Sequence, residues 1–340
     1  MNSMPTGNET RIPNLDLLIF DMDGVLVDVT QSYRKTIEKT ARLYLKACLG
    51  LNLSPRNPPL DLAIARFKSA GGFNNDWDLT AGLLLYLLSV SGLPPSSRRR
   101  KSSTIPATIN YLEREAVERR LKPVRYSLRH LSSLLGKVRR SGDGLKGLGK
   151  ALGGSWEGWV HHSGSIDAEN VVKRIFQEVY LGEKFTDCYR LPAHFYHGTG
   201  YHLREKLLIP RSILSKLRKR FRLAIASGRP RFEADLALKR FRLLPYFDSV
   251  VTLDECRFSK PHPDPLLRAV RGIDLPHPRC AYVGDVVDDM LAAKAAGRKV
   301  PTFALGFAPG KRDRDRDNAL IQAGADLLVR RPRELLQLVS

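Results

Sequence analysis

Two carboxylates two residues apart, Asp21 and Asp23, are preceded by the apolar run Leu17–Phe20 and followed at once by Gly24. A strand of four apolar residues has no polar face, so it suits a central parallel strand covered on both sides. It delivers both acids to its carboxyl end, where Gly24 lets the chain turn sharply, at the crevice in which open α/β sheets bind ligands. Carboxylates this close are costly unless a metal ion, a cationic partner or a shared proton accompanies them. An Asp-x-Asp pair is also an ordinary polar turn, so the chemistry depends on what the other strand ends supply.

Three later stretches supply it. Phe221 to Ala226 reads as a strand ending in Ser227-Gly228-Arg229-Pro230, Lys260 lies in a proline-rich loop, and strand Cys280 to Val283 ends in Gly284-Asp285-Val-Val-Asp288-Asp289. In a parallel sheet all carboxyl ends share one edge, so Asp21, Asp23, Ser227 and Asp285 converge, with Lys260 reaching in from its loop. That set fits phosphoryl transfer. Carboxylates alone repel a phosphate, so a hard cation such as magnesium, held by Asp21 and Asp285, is needed to bridge them. The hydroxyl of Ser227 and the amides of Ser227 and Gly228 suit phosphoryl oxygens, and Lys260 adds positive charge for the transition state.

The elements that position these residues alternate as βα units after about residue 207, which implies a doubly wound parallel sheet with right-handed crossovers. Between the first strand and that point the pattern is helical. Tyr33, Ile37, Ala41, Tyr44 and Cys48 recur on one face of a first helix, and the turn Asn74-Asn75-Asp76-Trp77 opens an apolar helix from Ala81 to Val90. From about residue 94 to 164 the composition shifts to Ser, Arg, Gly and Lys. Fifteen basic and four acidic side chains lie between Arg98 and Lys150, about half of the chain's excess. Leu128, Leu131, Leu135 and Val138 mark one basic amphipathic helix there; otherwise the composition predicts a flexible, solvated insertion.

At 340 residues the chain can bury a full core and fits two domains. Its 56 Lys and Arg against 35 Asp and Glu, a net +21, favour polyanionic partners: phosphorylated metabolites, nucleic acid or an acidic membrane surface. Cys48, Cys188, Cys256 and Cys280 form no Cys-x-x-Cys, so neither a zinc site nor a disulfide framework is indicated and free thiols in a reducing compartment are expected. Met1 to Asn14 has no apolar core and is not read as a signal peptide. The longest apolar run, Leu79 to Leu93, is interrupted by serines and glycines and reads as a buried helix. A cytoplasmic protein without a transmembrane segment is the expectation.

The ordered motifs Asp21-Met-Asp23-Gly-Val-Leu-Val-Asp28, Leu-Ala-Ile-Ala-Ser227, Lys260-Pro and Val283-Gly-Asp285-Val-Val-Asp288-Asp289 resemble the haloacid dehalogenase superfamily. More specifically they resemble its phosphatase-type members with a helical cap inserted after the first motif. The resemblance implies an α/β core from residues 13–30 and 207–340, a helical cap over 31–206 that contains the basic insertion, and a flexible N-terminus over 1–12. It implies a magnesium-dependent phosphatase acting on a small phosphorylated metabolite, with Asp21 as the nucleophile that forms an aspartyl-phosphate. Asp23 would protonate the leaving oxygen, then deprotonate water, and its carbonyl would help bind magnesium. Ser227 and Lys260 would hold the phosphoryl group, Asp285 would be a metal ligand, and Asp289, with Asp288 as competitor, would hold Lys260 or a metal-bound water. Asp23 also argues against dehalogenation, because a halide leaves without a proton. Val286 stands where the family has Ser or Thr. Two alternatives stay open: a phosphomutase of the same superfamily, and a binding protein with a vestigial site whose basic insertion recognises nucleic acid or acidic membrane.

Candidates for reading the substrate are Asn74, Asn75, Asp76 and Trp77 in the cap, and Gly228, Arg229 and Arg231 beyond Ser227. The cap residues equally suit a helix cap and core packing, and the arginines a solvated helix start.

Overall fold

The computed structural model describes residues 14–70, 72–73, 75–97, 103–117, 122–141 and 144–338. The expected flexible N-terminus and Asn74 lie outside the described residues. The chain forms two compact units, one of residues up to Val29 together with Lys206 onward, the other Thr30–Glu205.

In chain order the first unit opens with β1 (Leu17–Phe20) and β2 (Val27–Asp28). The second unit follows with α1 (Tyr33–Leu49), α2 (Leu60–Ala70), α3 (Asp76–Ser89), α4 (Ile105–Val117), α5 (Leu128–Ser141), α6 (Gly144–Ala151), α7 (Val171–Leu181) and α8 (Lys184–Tyr189). The chain then returns through β3 (Lys206–Leu207), α9 (Arg211–Arg218), β4 (Arg222–Ala226), α10 (Arg231–Phe241), β5 (Ser249–Val251) and α11 (Asp264–Arg271). It ends with β6 (Cys280–Gly284), α12 (Val287–Gly297), β7 (Thr302–Phe307), α13 (Arg314–Gln322) and β8 (Leu327–Val329). After β8 comes a 3-10 turn, Pro332–Gln337, with proline in its first turn.

Six strands form one parallel sheet in the order β5-β4-β1-β6-β7-β8. The all-apolar sequence of β1 takes the centre, with Phe20 opposite Ile225 on one side and Val283 on the other. Leu17 and Ile19 join Ala224, Ala226 and Tyr282 in a core closed by Leu266 and Ala269 of α11 and by Met290, Ala293 and Ala296 of α12. The alternate residues Leu18, Phe20, Leu223 and Ile225 are buried too, so both faces of the sheet are covered, as parallel sheets require. Connections run to one side of β1 for β4 and β5, then to the other for β6 to β8. The switch in strand order therefore falls at β1, where the carboxyl ends open a crevice.

The second unit is helical. Among the described residues of 94–164 the chain forms α4, α5 and α6 where composition predicts a flexible insertion around one amphipathic helix. The leucine stripe is the reason: Leu131, Leu134, Leu135 and Val138 of α5 are buried, and α5 packs on α2 and α6 while α4 packs on α1. Arg129, Lys137 and Arg140 lie off that stripe and are exposed. Burial was available from neighbouring helices, which the segment's own composition does not register.

Further on, α7 carries a buried ion pair, Arg174 Nε to Glu178 Oε1 at 2.6 Å. The other carboxylate oxygen of Glu178 accepts the amides of His194, Phe195 and Tyr196 at 3.0, 2.6 and 3.1 Å, fixing the loop after α8. Among the described residues no helix is long and apolar enough to cross a membrane. Since α5 is part of this packing, Leu131→Ala should destabilise the chain by about 2–5 kcal/mol in urea denaturation. A solvated helix would lose almost nothing.

Candidate active site

The site is built at the carboxyl ends of β1, β4 and β6. Asp21 follows β1 directly and its amide donates to Val283 O at 2.9 Å, extending the ladder by one residue. The chain then turns back. Leu26 and Val27 donate their amides to Met22 O, and Gly24 donates to Val27 O at 2.8 Å. Gly24 sits at φ +74°, and a Cβ there would lie 2.1 Å from Asp285 Oδ2. Glycine is thus required both by the backbone and by the acid beside it.

Lys260 is the hub. Its ammonium lies 2.9 Å from Asp21 Oδ1 and 2.7 Å from Asp289 Oδ1 and donates to Tyr282 Oη at 2.9 Å. Tyr282 in turn donates toward Asp289 Oδ1 at 3.0 Å. The other oxygen of Asp289 accepts the amides of Asp285 and Val286 at 3.0 and 3.2 Å. Asp289, fully buried, therefore ties the start of α12 to Lys260. Asp288 differs: burial, then Asp289, pushes its carboxyl up to about 6. Burial opposes the charge on Lys260, but Asp21 and Asp289 outweigh it and hold the ammonium well above its ordinary pKa. Asp21 is pushed well above the usual carboxylate range, first by burial and then by Asp289, Asp23 and Asp285, with Lys260 pulling the other way.

The acids suit a hard cation. Asp21, Asp285 and Asp289 each offer an oxygen, all within 4.8 Å of one another. Asp289 already accepts bonds at both oxygens, which leaves Asp21 and Asp285 as the better donors. Lys260 and Arg229 offset two of the four charges on Asp21, Asp23, Asp285 and Asp289, and a divalent cation would offset the other two.

Ser227, buried at the end of β4, donates its amide to Val251 O at 2.9 Å, so contrary to expectation that amide extends the sheet and does not face phosphoryl oxygens, while its hydroxyl accepts the amide of Arg229 at 3.2 Å. Gly228 stands between them with open space where a Cβ would be. Arg229 is not part of a solvated helix start: it is 1% exposed and its guanidinium meets Asp23. Arg231 is half exposed and bonds Glu255 and Val250 O. In the other unit Asn75 caps α3, accepting the Asp78 amide at 2.7 Å. Asp76 pairs with Lys68 at 3.1 Å, and Trp77 packs edge-on to Phe176 under Lys173. Those contacts match the capping and packing alternative for this turn.

The sequence does not single out Tyr282, because an aromatic residue in a buried strand looks like core. The only signal was its place two residues before Gly284-Asp285. Tyr282→Phe keeps the ring and removes the hydroxyl shared by Lys260 and Asp289, so stability should fall by about 1–2 kcal/mol in urea denaturation. An unchanged midpoint would mean that the hydroxyl does not hold the pair.

Comparison with known proteins agrees with this geometry. Residues 205–303 match the family described as haloacid dehalogenase-like hydrolase. Over 163 residues the chain is 30% identical to the pyrophosphatase PpaX of Halalkalibacterium halodurans, covering 46% of this chain and 69% of that protein. It is 25% identical over 282 residues, 82% of its own length, to an imidazoleglycerol-phosphate dehydratase of Phytophthora nicotianae, of which it covers 41%. It thus spans about half the length of the first curated relatives it matches. A phosphatase from Thermococcus thioreducens, Tt82, shares the fold with a TM-score of 0.53 at 20% identity, over 90% of this chain and 99% of that one. The strand order, the acids at its switch point and these relatives lead to one conclusion: the chain belongs to the haloacid dehalogenase-like hydrolase family.

Proposed function

We propose that this chain is a magnesium-dependent phosphatase that hydrolyses a small phosphorylated metabolite through an aspartyl-phosphate on Asp21. The observation that carries this reading is the Asp21 carboxylate at the end of β1, 2.9 Å from the ammonium of Lys260. A carboxylate beside a fixed ammonium is a nucleophile with the countercharge for a phosphoryl group already in place. Asp21 attacks phosphorus and the bond to the leaving oxygen breaks, with Asp23, entering the step protonated on Oδ2 while Arg229 holds Oδ1, delivering that proton to the leaving oxygen. Water then attacks the aspartyl-phosphate, Asp23 takes its proton, and phosphate leaves with the Asp21 carboxylate restored. Ser227 and Lys260 hold the phosphoryl oxygens, and Asp289 with Tyr282 keeps Lys260 in place. Magnesium, held by Asp21, Asp285 and the Asp23 carbonyl, would neutralise phosphoryl charge and favour the ionised form of Asp21.

The panel of substrates is p-nitrophenyl phosphate as a generic ester, together with the two compounds in the relatives' names, inorganic pyrophosphate and imidazoleglycerol phosphate. Phosphate release from at least one of them should require magnesium and stop with EDTA. Asp21→Asn should lower turnover about a thousand-fold or more while the melting temperature stays close to that of the unaltered chain. Near-normal release by this variant would rule out the covalent route.

The basic face of α5 supports a second, separable reading, contact with a polyanion. Arg129, Lys137 and Arg140 are exposed there, on a chain with net charge +21. Replacing all three by Gln should move elution from heparin to clearly lower salt without changing phosphate release. Elution at the same salt would remove this face from consideration.

A further inference from the structure

We infer that Arg229 is a positioning residue for Asp23, acting on the reaction through that carboxylate rather than by touching substrate. The inference rests on the phosphatase reading above and adds to it a residue that sets where proton transfer occurs. Arg229 is held first by its backbone. Its amide donates to Ser227 Oγ at 3.2 Å, and its carbonyl accepts the Leu253 amide at 2.8 Å. Pro230, with φ fixed by its ring, then directs the chain into α10.

The side chain leaves this anchor for Asp23, 206 positions earlier in the sequence. Nε and Nη2 lie 2.6 and 2.5 Å from the same oxygen, Oδ1. The Arg229 side chain is 1% exposed and that of Asp23 32%. A guanidinium buried to that degree cannot lose its charge, so it depends on a carboxylate partner, and two charge-assisted bonds to one oxygen fix that partner's rotamer. Asp23 has particular need of this. It lies in the tight turn closed by Gly24 and Val27, and as the proton donor it must hold one position within hydrogen-bond reach of the leaving oxygen. With so little surface, Arg229 is poorly placed to meet a substrate phosphate. Arg231, two residues on, shows the contrast, being half exposed and engaged with Glu255.

The test compares Arg229→Met, Arg229→Lys, Asp23→Asn and the double variant Asp23→Asn/Arg229→Met on two esters, p-nitrophenyl phosphate and phenyl phosphate, with magnesium. Phenolate is the poorer leaving group and depends more on the proton from Asp23. Arg229→Met should lower kcat on phenyl phosphate about ten-fold more than on p-nitrophenyl phosphate, with KM nearly unchanged. Arg229→Lys should recover part of that loss, and the double variant should be no slower than Asp23→Asn alone. Equal losses on both esters, a raised KM on both, or a double variant slower by the product of the single effects would overturn the inference while leaving the phosphatase reading intact. Failure of the unaltered chain to release phosphate from either ester and from every substrate of the panel above would remove both. If Arg229→Met does not fold, as judged by its melting curve, Arg229→Lys carries the same comparison between esters.

Discussion

Like charges held at close range are the constraint on which this structure depends. Asp21, Asp285 and Asp289 place oxygens within 4.8 Å of one another, and Asp23 stands two residues from the first. Unit charges about 4 Å apart repel by roughly 4 kcal/mol at an effective dielectric near 20, so the cluster exists only where compensating charge is built in. Lys260 sits between Asp21 and Asp289, Arg229 meets Asp23, and two backbone amides at the start of α12 face Asp289. The glycines follow from the same crowding. A Cβ at Gly24 would strike the Asp285 carboxylate, and one at Gly284 would lie 2.3 Å from Asp289 Cβ.

The sheet is what makes such a cluster affordable. Its cost is met by apolar burial elsewhere: β1 and β6 are buried along their whole length, and the alanines of α12 let that helix lie close against them. Residues far apart in sequence reach one edge because parallel strands share a direction. Strand order at the switch point, rather than any local motif, brings Asp21 and Asp285 together.

Much of this was legible in the sequence, for physical reasons that differ between residues. Four apolar residues just before Asp21 suit a strand covered on both faces, and Gly24 can be read because its φ leaves little choice of residue type. What could not be read is pairing at a distance. From the sequence Arg229 suits either a substrate contact or the start of an exposed helix, since nothing within ten residues of it indicates Asp23 as its partner. Tyr282 looked like one more apolar strand position, since its hydroxyl matters only once Lys260 arrives from a loop. The basic stretch is legible in part, since the stripe Leu128, Leu131, Leu135 and Val138 marks α5. Its charge is plain, but the neighbours that bury Leu131 and Leu135 belong to α2 and α6, and composition carries no record of them.

The carboxylate of Glu178 has a consequence for the loop after α8. A segment rich in Gly, His and Tyr has few apolar contacts of its own and would ordinarily open with almost no cost. Here three successive amides, from His194 to Tyr196, end on one oxygen of a fully buried side chain whose other oxygen meets Arg174. Lifting the loop would strand a charged pair without its donors inside a helical core, so the loop opens only when α7 does. A stretch without regular structure thereby acquires the opening free energy, and the resistance to solvent exchange and proteolysis, of the helix beneath it.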